Sequence, residues 1–327
     1  MTREGGIRRG PALTSPQKGI PRMSTTAPGR RVRSDKRRKY LAAYLFITPF
    51  MVLFVTMLLL PLFYAGYLSL FKVQLVGGDS FVWFDNYVRA LGDERFIGGV
   101  LRMCLFLAIQ VPIMLILALV FALALDSLRV GGGRFARLAI FVPYAVPGVV
   151  ATLMWGYLYG DNFGPIAQFM RAIGLGSPEL LSPENILGSI INIVTWQFVG
   201  YNMVIMYAAM RAIPSEQYEA ARIDGAGQFR IAWSIKIPAI RSAIILCSIF
   251  SVIGAFQLFS EPKLLYEIAP NAIGSSFSPN LYAYNLAFTN QDVNYAAAVA
   301  FLLGFIIMII SYVFQLSAAR REKGARS

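Results

Sequence analysis

Residues 219–238 read EAARIDGAGQFRIAWSIKIP, two acids and three bases set between apolar runs at about 187–212 and 239–260. Charges at that density cannot lie in hydrocarbon, whereas each neighbouring run is long enough to cross roughly 30 Å of it as a helix. The stretch therefore reads as a loop between two membrane spans. Of the 327 residues 57% are hydrophobic and only 14% are charged, which is too apolar for a soluble domain and fits a polytopic all-α bundle in lipid.

Working outward, six apolar stretches have the length of a span: about 41–70, 98–125, 138–159, 187–212, 239–260 and 295–317. They define a transmembrane domain over 40–318, preceded by a tail at 1–39 and followed by a tail at 319–327. The first tail holds twelve Lys and Arg between Arg3 and Lys39 against Glu4 and Asp35, and its Arg, Pro, Gly and Ser content predicts disorder. Met23 serves as a start as well as Met1 does. Placing the N-terminus inside puts Arg129, Arg134 and Arg137, then Arg211, Arg222, Arg230, Lys236 and Arg241, then Arg320, Arg321, Lys323 and Arg326 on the cytoplasmic side. The opposite loops hold only Lys72, Arg89, Arg95, Arg171 and Lys263 beside ten acids, so both termini are expected in the cytoplasm. The net charge of +13 is thus an inner-face and lipid-headgroup feature, not a nucleic-acid surface, since the tail has no aromatic interleaving beyond Tyr40.

Several chemistries are excluded by residue type. Histidine is absent, which rules out His-ligated metal, a Ser-His-Asp triad and a histidine proton relay. Cys104 and Cys247 sit in apolar runs without metal-ligand or CxxC spacing and read as small buried hydrophobes. No GxxxxGK[ST] occurs, so the chain cradles no nucleotide itself, and GGGRF at 131–135 reads as a turn. No Asp, Glu or Lys lies near the centre of a span, which disfavours a gradient-driven carrier. A membrane-embedded enzyme is disfavoured too, for want of a nucleophile-base pair.

Polar residues within spans should face the bundle interior, where they serve either helix packing or a ligand. Tyr144, Trp155, Gln197, Asn202 and Gln257 are compatible with a sugar pathway, in which rings stack and amides hydrogen-bond. Prolines interrupt the spans at Pro49, Pro61, Pro112, Pro143 and Pro147, and VPYAVPG is read either as a kink or as an opening beside a translocation path.

Within the loop at 213–238, Ser215 is expected to cap a helix over about 216–223, with Glu216 in its first turn. Gly225 and Gly227 end it, and FRIAWSIKI leads on to Pro238. Tyr218, Ala221 and Ile223 are expected on a small apolar face, with Glu219, Arg222 and Asp224 supplying fixed charge.

Glu219-Ala220-Ala221, Asp224-Gly225-Ala226, Ile235, Ile237 and Pro238 together resemble the EAA loop of ABC importer permeases. The likeness extends over about 40–318. FVWFDNYVRAL at 81–91, LAIFVPYAVPGVVATLMWGYLY, FQLFSEPKLLYE at 256–267 and PNLYAYNLAF are similar to segments of the maltose and glycerol-phosphate type, first-subunit class. The usual T-G-G-P after the fifth span is replaced by EIAPNAIGSS. The resemblance implies a bacterial inner-membrane subunit that catalyses nothing and binds no cofactor or metal, ATP being used by a separate cytoplasmic ATPase dimer. It also implies a second homologous permease, an extracytoplasmic solute-binding protein, and a sugar or oligosaccharide cargo, with a glycerol phosphodiester or polyol as the alternative. Glu219, Asp224 and Gly225 would then form the joint with the ATPase.

Overall fold

The computed structural model describes residues 32–74, 78–127 and 133–324; of 32–39, 42 and 317–324 only the backbone is described. The basic tail expected to be disordered lies outside these residues up to 31. From Val32 onward it is helical, so the boundary predicted at 39 falls inside a helix. Arg, Lys and Ala around that point are good helix formers, and only the Pro- and Gly-rich part upstream opposes a helix.

The chain divides into two units at Leu60. The first contains α1 (Val32–Phe54) and a π turn, Val55–Leu59. Two threonine hydroxyls there bond within the helix, Thr48 Oγ1 donating to the Tyr44 carbonyl at 2.6 Å and Thr56 Oγ1 to Val52 at 2.7 Å.

The second unit starts at Pro61, within α2 (Leu60–Leu68), and continues into a short antiparallel hairpin of β1 (Phe71–Gln74) and β2 (Gly78–Phe81), which pairs Phe71 with Phe81. Then α3 (Asp85–Leu91) carries the Asn-Tyr of the FDNY segment. Buried Asn86 donates to the carbonyls of Ser69 (2.9 Å) and Phe71 (2.8 Å), and the Tyr87 hydroxyl meets Ser69 Oγ at 2.8 Å. These contacts hold the hairpin to α3.

Long helices come next: α4 (Glu94–Ser127), α5 (Gly133–Ala145), α6 (Gly148–Leu158), short α7 (Pro165–Ala172) and α8 (Ile186–Arg211). After the charged loop's start come α9 (Ser215–Ile223), α10 (Gln228–Ile231), a π turn at Ala232–Lys236, α11 (Ile237–Ala239) and α12 (Arg241–Phe256). The chain closes with α13 (Ser260–Ile268), α14 (Pro279–Tyr284), a π turn at Asn285–Thr289 and α15 (Val293–Gly324).

Among the described residues four helices are long and apolar enough to cross a membrane: Ala43–Leu68, Glu94–Ser127, Ile186–Arg211 and Val293–Leu316. The number reaches six if each of two bent pairs is one span, and these pairs fall on the expected third and fifth stretches. α5 and α6 meet at 95°, and the Gln228–Ala239 segment meets α12 at 65°. Pro147 interrupts the first pair, because it cannot donate to the preceding turn, and the second break falls at Ile240, two residues after Pro238. At the first, Val146 is left between helices and its carbonyl accepts Gln197 Nε2 at 3.1 Å. The GGGRF turn is corrected in part: α5 already starts at Gly133, and 131–132 lie outside the described residues.

Two apolar clusters hold the second unit together. One gathers Phe96, Met103, Phe106, Ile190, Phe256 and Tyr295; the other gathers Met114, Ala118, Ala122, Met203, Met206 and Cys247. Ala118 and Ala122 let α4 lie close to α8, since small side chains are what close membrane-helix packing requires. Cys247 is fully buried and Cys104 half-buried, both free thiols.

One polar cluster ties the α3–α4 junction to α14 and α15. The hydroxyls of Tyr282 (2.5 Å) and Tyr295 (2.7 Å) both donate to Asp93 Oδ2, and the Arg89 guanidinium lies 3.8 Å over the Tyr295 ring while bonding Asp292 at 3.3 Å. Burial pushes the Asp93 pKa up, but the two hydroxyls and the backbone N–H groups of Arg95 and Phe96 outweigh it and hold the carboxyl below the ordinary range. Burial, with the Asp93 carboxylate beside it, pushes the Tyr282 phenol up to about 12. A depressed carboxyl pKa stabilises the fold above its unfolded value, near 3.8, and that contribution is lost as pH falls through the folded value. Asp93→Asn is therefore expected to lower stability at pH 7, by about 1 kcal/mol once solvent screening of this partly exposed carboxylate is allowed for. Melting in detergent should show the difference shrinking as the pH drops below 4, roughly the unperturbed Asp value.

Candidate functional site

The charged loop folds as two short helices around a glycine. α9 ends in a left-handed turn at Gly225 (φ +79°), where Gly225 N–H bonds the Arg222 carbonyl at 3.0 Å and Ala226 N–H bonds Ala221 at 2.9 Å. This pair of bonds is a Schellman cap, and it explains why the sequence needs glycine after Asp224. The N-terminus differs from expectation. Pro214, not Ser215, occupies the N-cap, no side chain among the described residues caps the helix, and Ser215 is its first residue. Proline's fixed φ already suits the chain there, and its carbonyl accepts Gln217 N–H at 3.3 Å.

Glu219, Ala220, Asp224, Gly225 and Pro238 are exposed, while Ala221 and Ala226 are half-buried. The apolar face is not the one expected. Ile223 is outward as predicted, 86% exposed, but Tyr218 turns inward, its hydroxyl 3.5 Å from the Met210 carbonyl. In its place Phe229 (83% exposed) and Trp233 (68%) stand outward with rings 6.5 Å apart and nearly parallel. Their one-turn spacing is visible in FRIAWSIKI, but the direction of that face depends on the bend after Gly225.

Tyr218 faces a pair that sequence reasoning missed. Lys236 Nζ and Asp126 Oδ2 lie 2.6 Å apart, each side chain only 8% exposed, and Lys236 Nζ is 5.5 Å from the Tyr218 ring centroid. Spacing along the chain gives no hint of it, because Asp126 belongs to the last turn of α4.

A cavity of about 320 Å³ opens among α4, α8, α12 and the start of α13. Its wall contains Gln110, Tyr201, Asn202, Phe250, Gln257 and Glu261. Of the five predicted pathway residues it therefore brings together Asn202 and Gln257. Tyr144 lies one ring away, stacked on Tyr201 at 4.8 Å, and Trp155 and Gln197 do not line it. Gln197 bridges the α5–α6 break instead, and Trp155 packs edge-on against Trp196 at 5.7 Å. Even so, Trp155 Nε1, Gln197 Oε1 and Asn202 Oδ1 are buried without a hydrogen-bond partner among the described residues. Gln110 and Glu261 are legible as polar residues at or near spans, but only tertiary packing turns them toward one space.

The apolar helices thus border a cavity with a few polar side chains on its wall, and the charged loop folds as an exposed two-helix module. Residues 87–326 match the family described as binding-protein-dependent transport system inner membrane component, and the chain belongs to that family. It is 27% identical over 315 residues to the diacetylchitobiose uptake system permease NgcF of Streptomyces coelicolor, covering 92% of this chain and 88% of that one. It is 30% identical over 309 residues to the lactose transport system permease LacF of Rhizobium radiobacter, covering 92% and 100%. In fold it is similar to a chain of a bacterial ABC transporter that imports the acidic polysaccharide alginate, with a TM-score of 0.78 at 20% identity over 89% of this chain and 99% of that one. A bacterial alginate ABC transporter has also been solved with an alginate pentasaccharide-bound periplasmic protein, and there the TM-score is again 0.78, at 19% identity over 89% of this chain and 98% of that one.

Proposed function

We propose that this chain forms half of the translocation path of an ABC importer for an oligosaccharide. The observation that carries the reading is the α9–α10 module, which presents Ile223, Phe229 and Trp233 with Glu219 and Asp224 on its outer side. Exposed aromatic and aliphatic side chains ringed by charge suit a protein groove, because desolvated aromatic anchors carry most binding energy. The partner is a cytoplasmic ATPase dimer, and its closure on ATP moves the module and, with it, the membrane helices. A second permease completes the path, and an extracytoplasmic binding protein delivers the cargo. Both chain ends and the module lie on the cytoplasmic side, in keeping with the bias of Lys and Arg among the loops.

The sugar class is supported by the cavity, where the amides of Gln110, Asn202 and Gln257 and the ring of Tyr201 offer hydrogen bonds and stacking. Diacetylchitobiose and lactose, named for two relatives, are of this kind. In cells that depend on this chain for an oligosaccharide, uptake should stop when the ATPase lysine that holds nucleotide phosphate is replaced. It should persist when the proton gradient is collapsed at constant ATP. Uptake that tracks the gradient instead would identify a secondary carrier.

A further inference from the structure

The buried pair between Lys236 and Asp126 joins two parts of the molecule that transport must move together. Lys236 closes the π turn Ala232–Lys236, between the outward module and α12. A π turn inserts one residue and so rotates the downstream chain by about 100° relative to a regular helix. That phase shift places Lys236 inward although its neighbours Trp233 and Ser234 are exposed. Pro238 gives the reason for the turn, since it lacks the N–H that would bond Ser234, and Ile237 N–H reaches back to Ala232 instead.

Three elements converge on the pair. Tyr218 of α9 faces the ammonium group, and the charge of Arg211, at the end of α8, also acts on the Tyr218 phenol. Asp126 is in the last turn of α4. On the same helix Met114 and Gln110 are walls of the cavity, and Met114 lies about 18 Å from Asp126 at 1.5 Å per residue. A displacement of the module thus reaches the cavity wall through the π turn that carries Lys236, one ion pair and one continuous helix.

We propose that Lys236 and Asp126 form a positioning strut that passes movement of the α9–α10 module to α4, and so couples partner closure to the shape of the cavity. The proposal rests on the reading that this module engages an ATPase. An ion pair of 2.6 Å suits the task because it fixes direction as well as proximity, whereas apolar contact is non-directional and lets surfaces slide. Neither residue need touch the cargo.

The test uses the complete importer with its binding protein, supplied with the oligosaccharide whose uptake is lost when this chain is deleted. Single changes leave a buried unpaired charge and can lower the amount of folded chain. The decisive variant is therefore the apolar pair Lys236→Met with Asp126→Leu, which removes both charges, beside the exchanged pair Lys236→Asp with Asp126→Lys. The apolar pair should insert, co-purify with the ATPase and hydrolyse ATP, yet import at least tenfold fewer sugars per ATP. The exchanged pair should recover at least half of the unaltered ratio. An apolar pair that imports within twofold of the unaltered chain per ATP overturns the strut, as does a deficit that only tracks the amount of chain in the membrane. An unaltered chain that co-purifies with no ATPase overturns the docking reading instead, and the two failures are told apart by that one band.

Discussion

Gly225→Asp is expected to leave the chain at its normal level in the membrane and to lower uptake at least tenfold. Two facts about the position point to that separation. The left-handed φ of +79° is one that Asp tolerates better than most residues, so the Schellman turn survives at a cost of about 1 kcal/mol. A side chain added there meets no atom of the described residues within 4 Å. The new carboxylate therefore stands on the surface beside Asp224, where it changes what a partner meets without disturbing the bundle. Quantitative blotting of membranes beside uptake measures both halves, and normal uptake by the variant would remove Gly225 from the joint.

Gly200→Val is expected to have the opposite character, with little folded chain recovered. Gly200 is the place where α8 crosses α5, and a Cβ there would run into the Ile140 carbonyl and lie 2.8 Å from the Phe141 Cα. Those are backbone atoms, which cannot swing aside as a side-chain tip does. Overpacking of an ordinary core costs about 1–3 kcal/mol, and a clash with a neighbouring helix backbone belongs at the top of that range or beyond it. Gly200→Ala should already lower the melting temperature in detergent. Gly188→Ala on the same helix is the control, since no described atom lies within 4 Å of its added Cβ, and it should be neutral or slightly stabilising. Equal behaviour of the two alanine variants would contradict the close crossing.

The contrast between these glycines shows how far the sequence can be read. Local composition is enough to find the apolar stretches and the loop at 213–238, because hydrocarbon accepts one and rejects the other. It is also enough to expect glycine at the end of α9, where a helix stop requires positive φ. Gly200 gives no such signal, since its reason is a neighbour 60 positions away in α5. The same holds for the third span: Pro147 marks a kink, but neither the 95° bend nor the Gln197 bond to the Val146 carbonyl can be read from that proline.

Residue type likewise does not tell that Gln197 and Trp155 lie away from the cavity wall, because an amide or an indole in a span serves helix packing as readily as cargo. Helical phase alone turns Tyr218 outward, but the buried Lys236 and Asp126 draw it to the inner side. Each of these departures involves a pairing between distant segments, which periodicity along one segment does not encode.

The most direct test of the joint between membrane path and motor is co-purification from membranes of the unaltered chain beside Glu219→Ala and Gly225→Asp. The unaltered chain should carry an ATPase with it, and both variants should lose that ATPase while present in the membrane at normal amounts. An unaltered chain that brings down no ATPase, or variants that retain it in full, would contradict the assignment of the α9–α10 module to that joint.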